Sequence, residues 1–359
     1  MRTNKTRFFA AVIAVIMCLS LLPTAFYAED GDLTVSTVEE FVAFRDAVNG
    51  SAKKSTSKLC AKLTANIDLG NEAWTPIGKM TNTYSDYVAF GGVFDGDGHT
   101  ISGLKIDNSA QYQALFGYVK GGTIQNLTVA GSVTTSSSSG YAAGIVAYGS
   151  PVTLENCMNR VTVTVTQKGY AAGVAAYAGT GSTITGCTNQ GDISGVGGYL
   201  GGIVGTAKGV TITNCINNGD VVDSMLSATY PYCVGGIAGS AISASRITNC
   251  GNAGAVTSHL KNTGGVVGYF AGTAEKCFNS GNVTGIYATG GIVGNISSAN
   301  TSVTDCYNTG NILCNAPTAT FSDTSAKGVG GIVGNPGSTS SADCTVKNCY
   351  NAGTITNAD

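Results

Sequence analysis

Seven times along this chain a cysteine is followed two residues later by asparagine and six residues later by valine or isoleucine. The cysteines are Cys157, Cys187, Cys215, Cys250, Cys277, Cys306 and Cys349. The asparagines are Asn159, Asn189, Asn217, Asn252, Asn279, Asn308 and Asn351. The aliphatic positions are Val163, Ile193, Val221, Val256, Val283, Ile312 and Ile355. A glycine lies between asparagine and aliphatic in every copy but the first, where Val161 stands. Ahead of the central copy runs Gly201-Gly-Ile-Val-Gly205, and variants of it precede the others. A period of about 28 residues held over most of a chain is the mark of stacked repeats, in which each unit buries its apolar face only against its neighbours.

The units read as short strands. β-branched residues, frequent glycine and apolar positions two apart exclude helix. The residue just before the cysteine is Asn156, Gly186, Asn214, Asn249, Lys276, Asp305 or Asn348, and Asn126 precedes the equivalent Leu127. Asn, Asp and Gly tolerate a left-handed backbone, so one bend recurs at this place in each turn. The fold expected is all-β: a right-handed parallel β-helix of about ten rungs over residues 59–359. At ~4.8 Å per rung it is a rod about 48 Å long. Residues 29–58 form an N-terminal cap with one amphipathic helix over 37–49. Thr37 and Glu40 make its capping box, and Val38, Phe41, Val42, Phe44 and Val48 share a side. The cap covers the first open edge of the stack.

Residues 1–28 have the form of a signal peptide, with Arg2, Lys5 and Arg7 ahead of an apolar run from Phe8 to Leu22. That run is too short to span a bilayer comfortably, so the chain is expected to be exported without membrane insertion. Only 11% of residues are charged and the net charge is −2, which offers nothing to nucleic acid. The longest interruptions, 222–234 and 313–329, fall at one corner of the turn, where insertions project and bind. The sequence stops at Asp359, soon after Ile355, and the expectation is a downstream region or a partner that caps this end.

The cysteine column does not read as a metal site: zinc wants four converging ligands, and no Cys-x-x-Cys occurs. Nor does it read as disulfides, because stacked Cβ atoms lie ~4.8 Å apart where a bridge needs about 3.8 Å. It reads as buried thiols that fill the core, with the asparagines stacked beside them. Cys60, Cys233, Cys314 and Cys344 lie off the column, and their pairing is open. Asp95-Gly-Asp97-Gly-His99 offers two carboxylates where calcium takes six or more oxygens, and reads as a turn. No cofactor and no catalytic group are expected. Tyrosines are the candidate ligand-binding residues. Tyr141, Tyr170 and Tyr199 recur at one place and stack as an outer stripe; Tyr230, Tyr232 and Tyr287 lie near the same edge. Tyr148, Tyr177 and Tyr269 make a second, weaker stripe.

The Gly-Gly-Ile-Val-Gly run with Ile212-Thr-Asn-Cys-Ile-Asn-Asn-Gly-Asp-Val221, preceded by Trp74-Thr-Pro-Ile-Gly78 and Phe94-Asp-Gly-Asp-Gly-His-Thr-Ile-Ser-Gly-Leu104, resembles the GLUG-motif repeat proteins of bacterial surfaces. The resemblance covers residues 33–359 and implies an exported right-handed parallel β-helix, often one segment of an adhesin-like protein. The motif also occurs in IgA metallopeptidases, but His99 and His259 are the only histidines and neither stands in a His-Glu-x-x-His helix. The function expected is therefore non-enzymatic: a secreted or cell-surface bacterial protein that binds host or self glycans or surface proteins along one edge. The alternatives are a structural stalk of a larger surface protein, or a lyase or hydrolase acting on polysaccharide.

Overall fold

A computed structural model describes residues 33–80, 86–225, 232–259, 262–315, 328–337 and 344–357. The expected signal peptide, 1–28, lies outside them. The chain is a parallel β-solenoid of about nine turns. Strands stack in three sheets that run the length of the solenoid. The central turn shows the plan. Gly198–Gly201 lies in sheet 3; Val204–Lys208 and Thr211–Thr213 lie in sheet 1; Ile216–Asn217 and Val221–Asp223 lie in sheet 2. Three faces thus take five short strands rather than three. Pairing is parallel except at the cap end, where Lys79–Met80 runs antiparallel to Tyr87–Phe90.

The bend from sheet 1 into sheet 2 falls at the residue before each cysteine. Asn126, Asn156, Gly186, Asn214, Asn249, Lys276, Asp305 and Asn348 all have φ between 51° and 64°. Lys276 is the one residue there without a short polar side chain or a missing Cβ, and holding it left-handed costs about 1–2 kcal/mol.

Helix α1 spans Val38–Asn49. Thr37 accepts the Glu40 N–H at 3.2 Å, while the Glu40 carboxylate reaches back one residue further than a capping box, to the N–H of Ser36 at 2.7 Å. Its buried residues Phe41, Phe44 and Val48 close the first turn. Phe41 stacks on Trp74 at 5.1 Å, and Phe44 meets Phe90 edge-on at 6.0 Å. The helix therefore covers the apolar core where the lowest turn would leave it open to water.

Inside, Ile193, Val221, Val256, Val283 and Ile312 form one aliphatic column, each at most 1% exposed. Each such side chain contributes about 1.5–3 kcal/mol on burial. Beside it runs a column of amides. Nδ2 of Asn159 donates to Oδ1 of Asn189 at 2.7 Å, and the step repeats through Asn217, Asn252, Asn279 and Asn308 to Asn351. The second Nδ2 hydrogen goes to a carbonyl two residues on in the same turn, Gly219 for Asn217 at 2.8 Å. From Asn159 to Asn308 these amides are fully buried and each side-chain N–H has an acceptor.

This accounting makes a mutational prediction. Asn217→Ala orphans an N–H of Asn189, the Oδ1 of Asn252 and the Gly219 carbonyl, and at 1–3 kcal/mol per buried orphan should cost about 3–5 kcal/mol after relaxation. Asn351→Ala, in the half-exposed last turn, should cost about 1 kcal/mol. Urea unfolding followed by circular dichroism measures both; equal midpoint shifts would show that the column does not hold the rod.

A tyrosine seam in a re-entrant corner

Sheets 3 and 1 meet at the Gly-Gly-Ile-Val-Gly run. Along a strand, successive side chains face opposite sides. Ala142 points into the main core, so Tyr141 and Ala143 point out; beyond the corner, Tyr148 also belongs to the outer cluster. Yet Tyr141 and Tyr148 touch edge to face, with ring centroids 5.5 Å apart. Outward residues on two sheets can meet only where the corner is concave. The corner is filled by a second apolar cluster, floored by Ala114, Ala143, Ala147 and Ala176 and separate from the core of the rod.

Two tyrosine ladders build this filling. On sheet 3, Tyr112, Tyr141, Tyr170 and Tyr199 stack with centroids 5.2, 4.3 and 5.1 Å apart and planes within 12°. On sheet 1, Tyr118 leads to Tyr148, which stacks on Tyr177 at 4.4 Å. The ladders interlock, Tyr141 meeting Tyr177 at 6.3 Å and Tyr112 meeting Tyr148 at 5.9 Å, both near perpendicular. Tyr87 closes the cap end against Tyr118 at 5.4 Å, and Tyr232 closes the other against Tyr199 at 6.0 Å. Edge-to-face and offset pairs of this kind contribute about 0.5–1.5 kcal/mol each beyond area burial. Burial, and the Cys233 thiol beside it, push the Tyr199 phenol up to about 12. It is therefore neutral at any ordinary pH.

The two stripes read from the sequence are thus one seam. Tyr141, Tyr170, Tyr199 and Tyr232 lie in it with Tyr148 and Tyr177. Tyr230 lies outside the described residues. Tyr287 is buried beside Ile286 in a separate small cluster, one position off the register column that runs Tyr199, Cys233, Asn262, Ala288. Tyr269 sits on the sheet 1 column three turns past Tyr177, after Thr206 and Ser240. Tyr112, Tyr118 and Tyr87 were missed. Tyr112 and Tyr118 are six residues apart where Tyr141 and Tyr148 are seven, and that missing residue hides the alignment.

The other candidates are accounted for locally. Asp95 accepts from Gln125, Asn126 and the Asp97 N–H, and Asp97 pairs with Lys62 at 3.2 Å. Among the described residues no group of three or more His, Cys, Asp or Glu could hold a metal. None of the eleven described cysteines is recorded in a disulfide, Cys60, Cys233, Cys314 and Cys344 included. In the column each Sγ lies within 3.1–3.5 Å of the carbonyl two residues before it. Six of the seven are buried; Cys349 is not, because no further turn covers it among the described residues.

The GLUG motif family model matches residues 230–257. Halomucin of Haloquadratum walsbyi is 33% identical over 149 residues, which is 39% of this chain and 2% of Halomucin, so the chain spans a small fraction of that relative's length. A solved chain from Bacteroides ovatus, "a putative immunoglobulin A1 protease", is similar over 88% of this chain and 87% of its own, with TM-score 0.51 and 20% identity. Another, "IgA1 Protease", covers 77% of this chain and 22% of its own at TM-score 0.47 and 18% identity.

The first of these neighbours corrects one expectation. The sequence reads as that of a non-enzyme, and a solved chain of similar architecture, the Bacteroides ovatus one, carries the name of a protease. That exclusion is withdrawn, while at 20% identity the likeness itself extends to the fold alone.

Burial sets the thiol chemistry that should be seen. In the native chain from residue 29 on, iodoacetamide should label Cys60, Cys344 and Cys349 first, with Cys157 through Cys306, Cys233 and Cys314 labelled only in denaturant. Peptide mass spectrometry reads each site, and fast native labelling of Cys215 would refute the packing. By architecture this chain is a parallel β-helix, and residues 230–257 of it match the GLUG motif.

Proposed function

We propose that the chain is an exported, surface-displayed rod whose tyrosine seam is a binding surface for glycan or protein ligands, the work of an adhesin-like protein. The observation that carries this reading is the interlocking of two tyrosine ladders into one continuous outer strip. A core needs no tyrosines on its outside, and phenols combine apolar contact with a hydrogen-bonding tip, which suits a surface that is wet in one state and covered in another.

The stacking narrows how a ligand sits. Rings 4.3 Å apart leave no space for a sugar ring between them. Contact is therefore along ring edges and hydroxyls, which recur at each turn of ~4.8 Å. A ligand with its own short repeat, such as a polysaccharide, meets the same pair of tyrosines at successive steps. Such a strip would serve a binding protein or the docking surface of an enzyme, and the reading does not depend on which.

The test is a glycan array probed with residues 29–359 and two triple variants at Tyr141, Tyr170 and Tyr199. The Ser variant should lose binding. The Phe variant should keep the stack and the thermal midpoint but weaken binding at least tenfold through its lost hydroxyl hydrogen bonds, at about 0.5–1.5 kcal/mol each. A folded chain that binds no glycan would remove the glycan reading and leave a protein ligand, and a Phe variant that binds as well as the parent would remove the hydroxyl contacts.

A further inference from the structure

The seam runs into an open cavity at its cap end. The cavity has a volume of about 390 Å3, and Lys53, Lys79, Asp86 and Tyr87 are on its wall. Tyr87 belongs to both places, since it also packs edge-on against Tyr118, the first ring of the sheet 1 ladder.

Positive charge collects around this junction. The segments 51–58, 79–80, 86–92 and 118–121 adjoin one another through the pairings of Ser55–Ser57 with Tyr87–Phe90, of Lys79 with Val88, and of Phe90 with Val119. They carry five lysines, Lys53, Lys54, Lys58, Lys79 and Lys120, all exposed, and one acid, Asp86, in a chain whose net charge is −2. Asp86 is taken by Lys53 at 2.8 Å. Register also orders the cations. Ser57, Phe90 and Val119 are partners in successive turns, so Lys58, Gly91 and Lys120 follow them as a column. Gly91 has no side chain, and a Cβ there would meet Thr56 Cγ2 at 2.3 Å and the Lys120 carbonyl at 2.7 Å. Two lysines therefore stand two turns apart, ~9.6 Å along the rod, over a stretch of bare backbone to which Lys58 Nζ donates at 2.9 Å. Lys120 Nζ lies 5.3 Å over the Tyr87 ring and 3.3 Å from its hydroxyl. Its hydrogen bond to the Tyr87 phenol raises Lys120 further above its ordinary value, and the Asp86 carboxylate does the same for Lys53. Both stay charged at neutral pH.

We infer that the cap end of the seam is an anion subsite, and that the seam's ligand is an acidic polysaccharide. Its carboxylate or sulfate groups are held by Lys58, Lys79 and Lys120 while its sugar units continue along the tyrosines. The inference rests on the seam being the binding surface. Arrays of lysines at the end of an aromatic strip discriminate by charge, and the attraction is screened by salt because the lysines are exposed.

The experiment compares polygalacturonate, its fully methyl-esterified neutral form and heparin, by affinity electrophoresis with residues 29–359. The expected result is binding of polygalacturonate or heparin at least tenfold tighter than of the ester, falling at least tenfold between 50 and 500 mM salt. Preference for polygalacturonate assigns the carboxylate and preference for heparin the sulfate. The triple variant Lys58→Gln, Lys79→Gln, Lys120→Gln should lower the acidic ligand's affinity about tenfold, as exposed ion pairs are individually weak, and leave the ester unaffected. The control pair Lys276→Gln, Lys347→Gln, at the far end, should change neither. Equal binding of acid and ester, each lost in the Tyr141/Tyr170/Tyr199→Ser variant, would overturn the anion subsite and leave the seam standing. Binding to anionic phospholipid vesicles without binding to either acidic polysaccharide would overturn the inference in favour of a membrane surface. No binding of any polysaccharide by the folded chain would overturn both.

Discussion

The buried amide column is the constraint on which the rest of this rod depends. An Asn side chain placed in an apolar interior is destabilising unless all its hydrogen-bonding capacity is met. Here each amide gives one N–H to the next turn and one to its own turn, and its oxygen accepts from the turn before. Those bonds exist only at one register. A slip of one residue would turn the amides to the outer face and leave a different set of side chains in the core. The apolar columns forbid that slip too, but a slip of two residues would keep them inward and still break the amide ladder.

The same column explains why the two halves of the repeat travel together. A Cβ on the second glycine of Gly201-Gly202 would lie 2.2 Å from Cγ of Asn217, and the equivalent approach recurs at Gly144, Gly173, Gly236 and Gly265 with their own asparagines. The glycine on one sheet is the space that the asparagine on another occupies. The glycine two residues past each asparagine has a related reason: a Cβ at Gly219 would lie 2.1 Å from the Gly191 carbonyl in the turn below. What reads in sequence as two conserved-looking spacings within one chain is a single contact seen from both sides.

Much of this was legible in the sequence. Columns follow from period, so the Cys, Asn and Val/Ile positions, the parallel β-helix and the left-handed bend before each cysteine could be read from spacing and from the short list of residues that tolerate such a bend. The site was legible only in part. Period says that Tyr141, Tyr170 and Tyr199 share one column and Tyr148 and Tyr177 another. It says nothing of the angle between the sheets that bear them. The concave corner makes two weak stripes into one seam. The lysine cluster was hidden for a different reason. Its members lie in the irregular first turns, where Lys58 and Lys120 are 62 positions apart and no repeat marks them as neighbours.

The corner also decides where the seam ends. In the turns bearing Tyr141 with Tyr148 and Tyr170 with Tyr177, the floor is alanine: Ala143 with Ala147, and Ala172 with Ala176. In the next turn those positions are Gly201 and Gly205, and a methyl on Gly201 would sit 2.1 Å from the Val204 carbonyl. In this turn and the next two at most one tyrosine is found: Tyr199 faces Thr206, Cys233 faces Ser240, and Asn262 faces Tyr269. The seam thus ends where the floor changes from alanine to glycine and the facing column changes from tyrosine to Thr206 and Ser240.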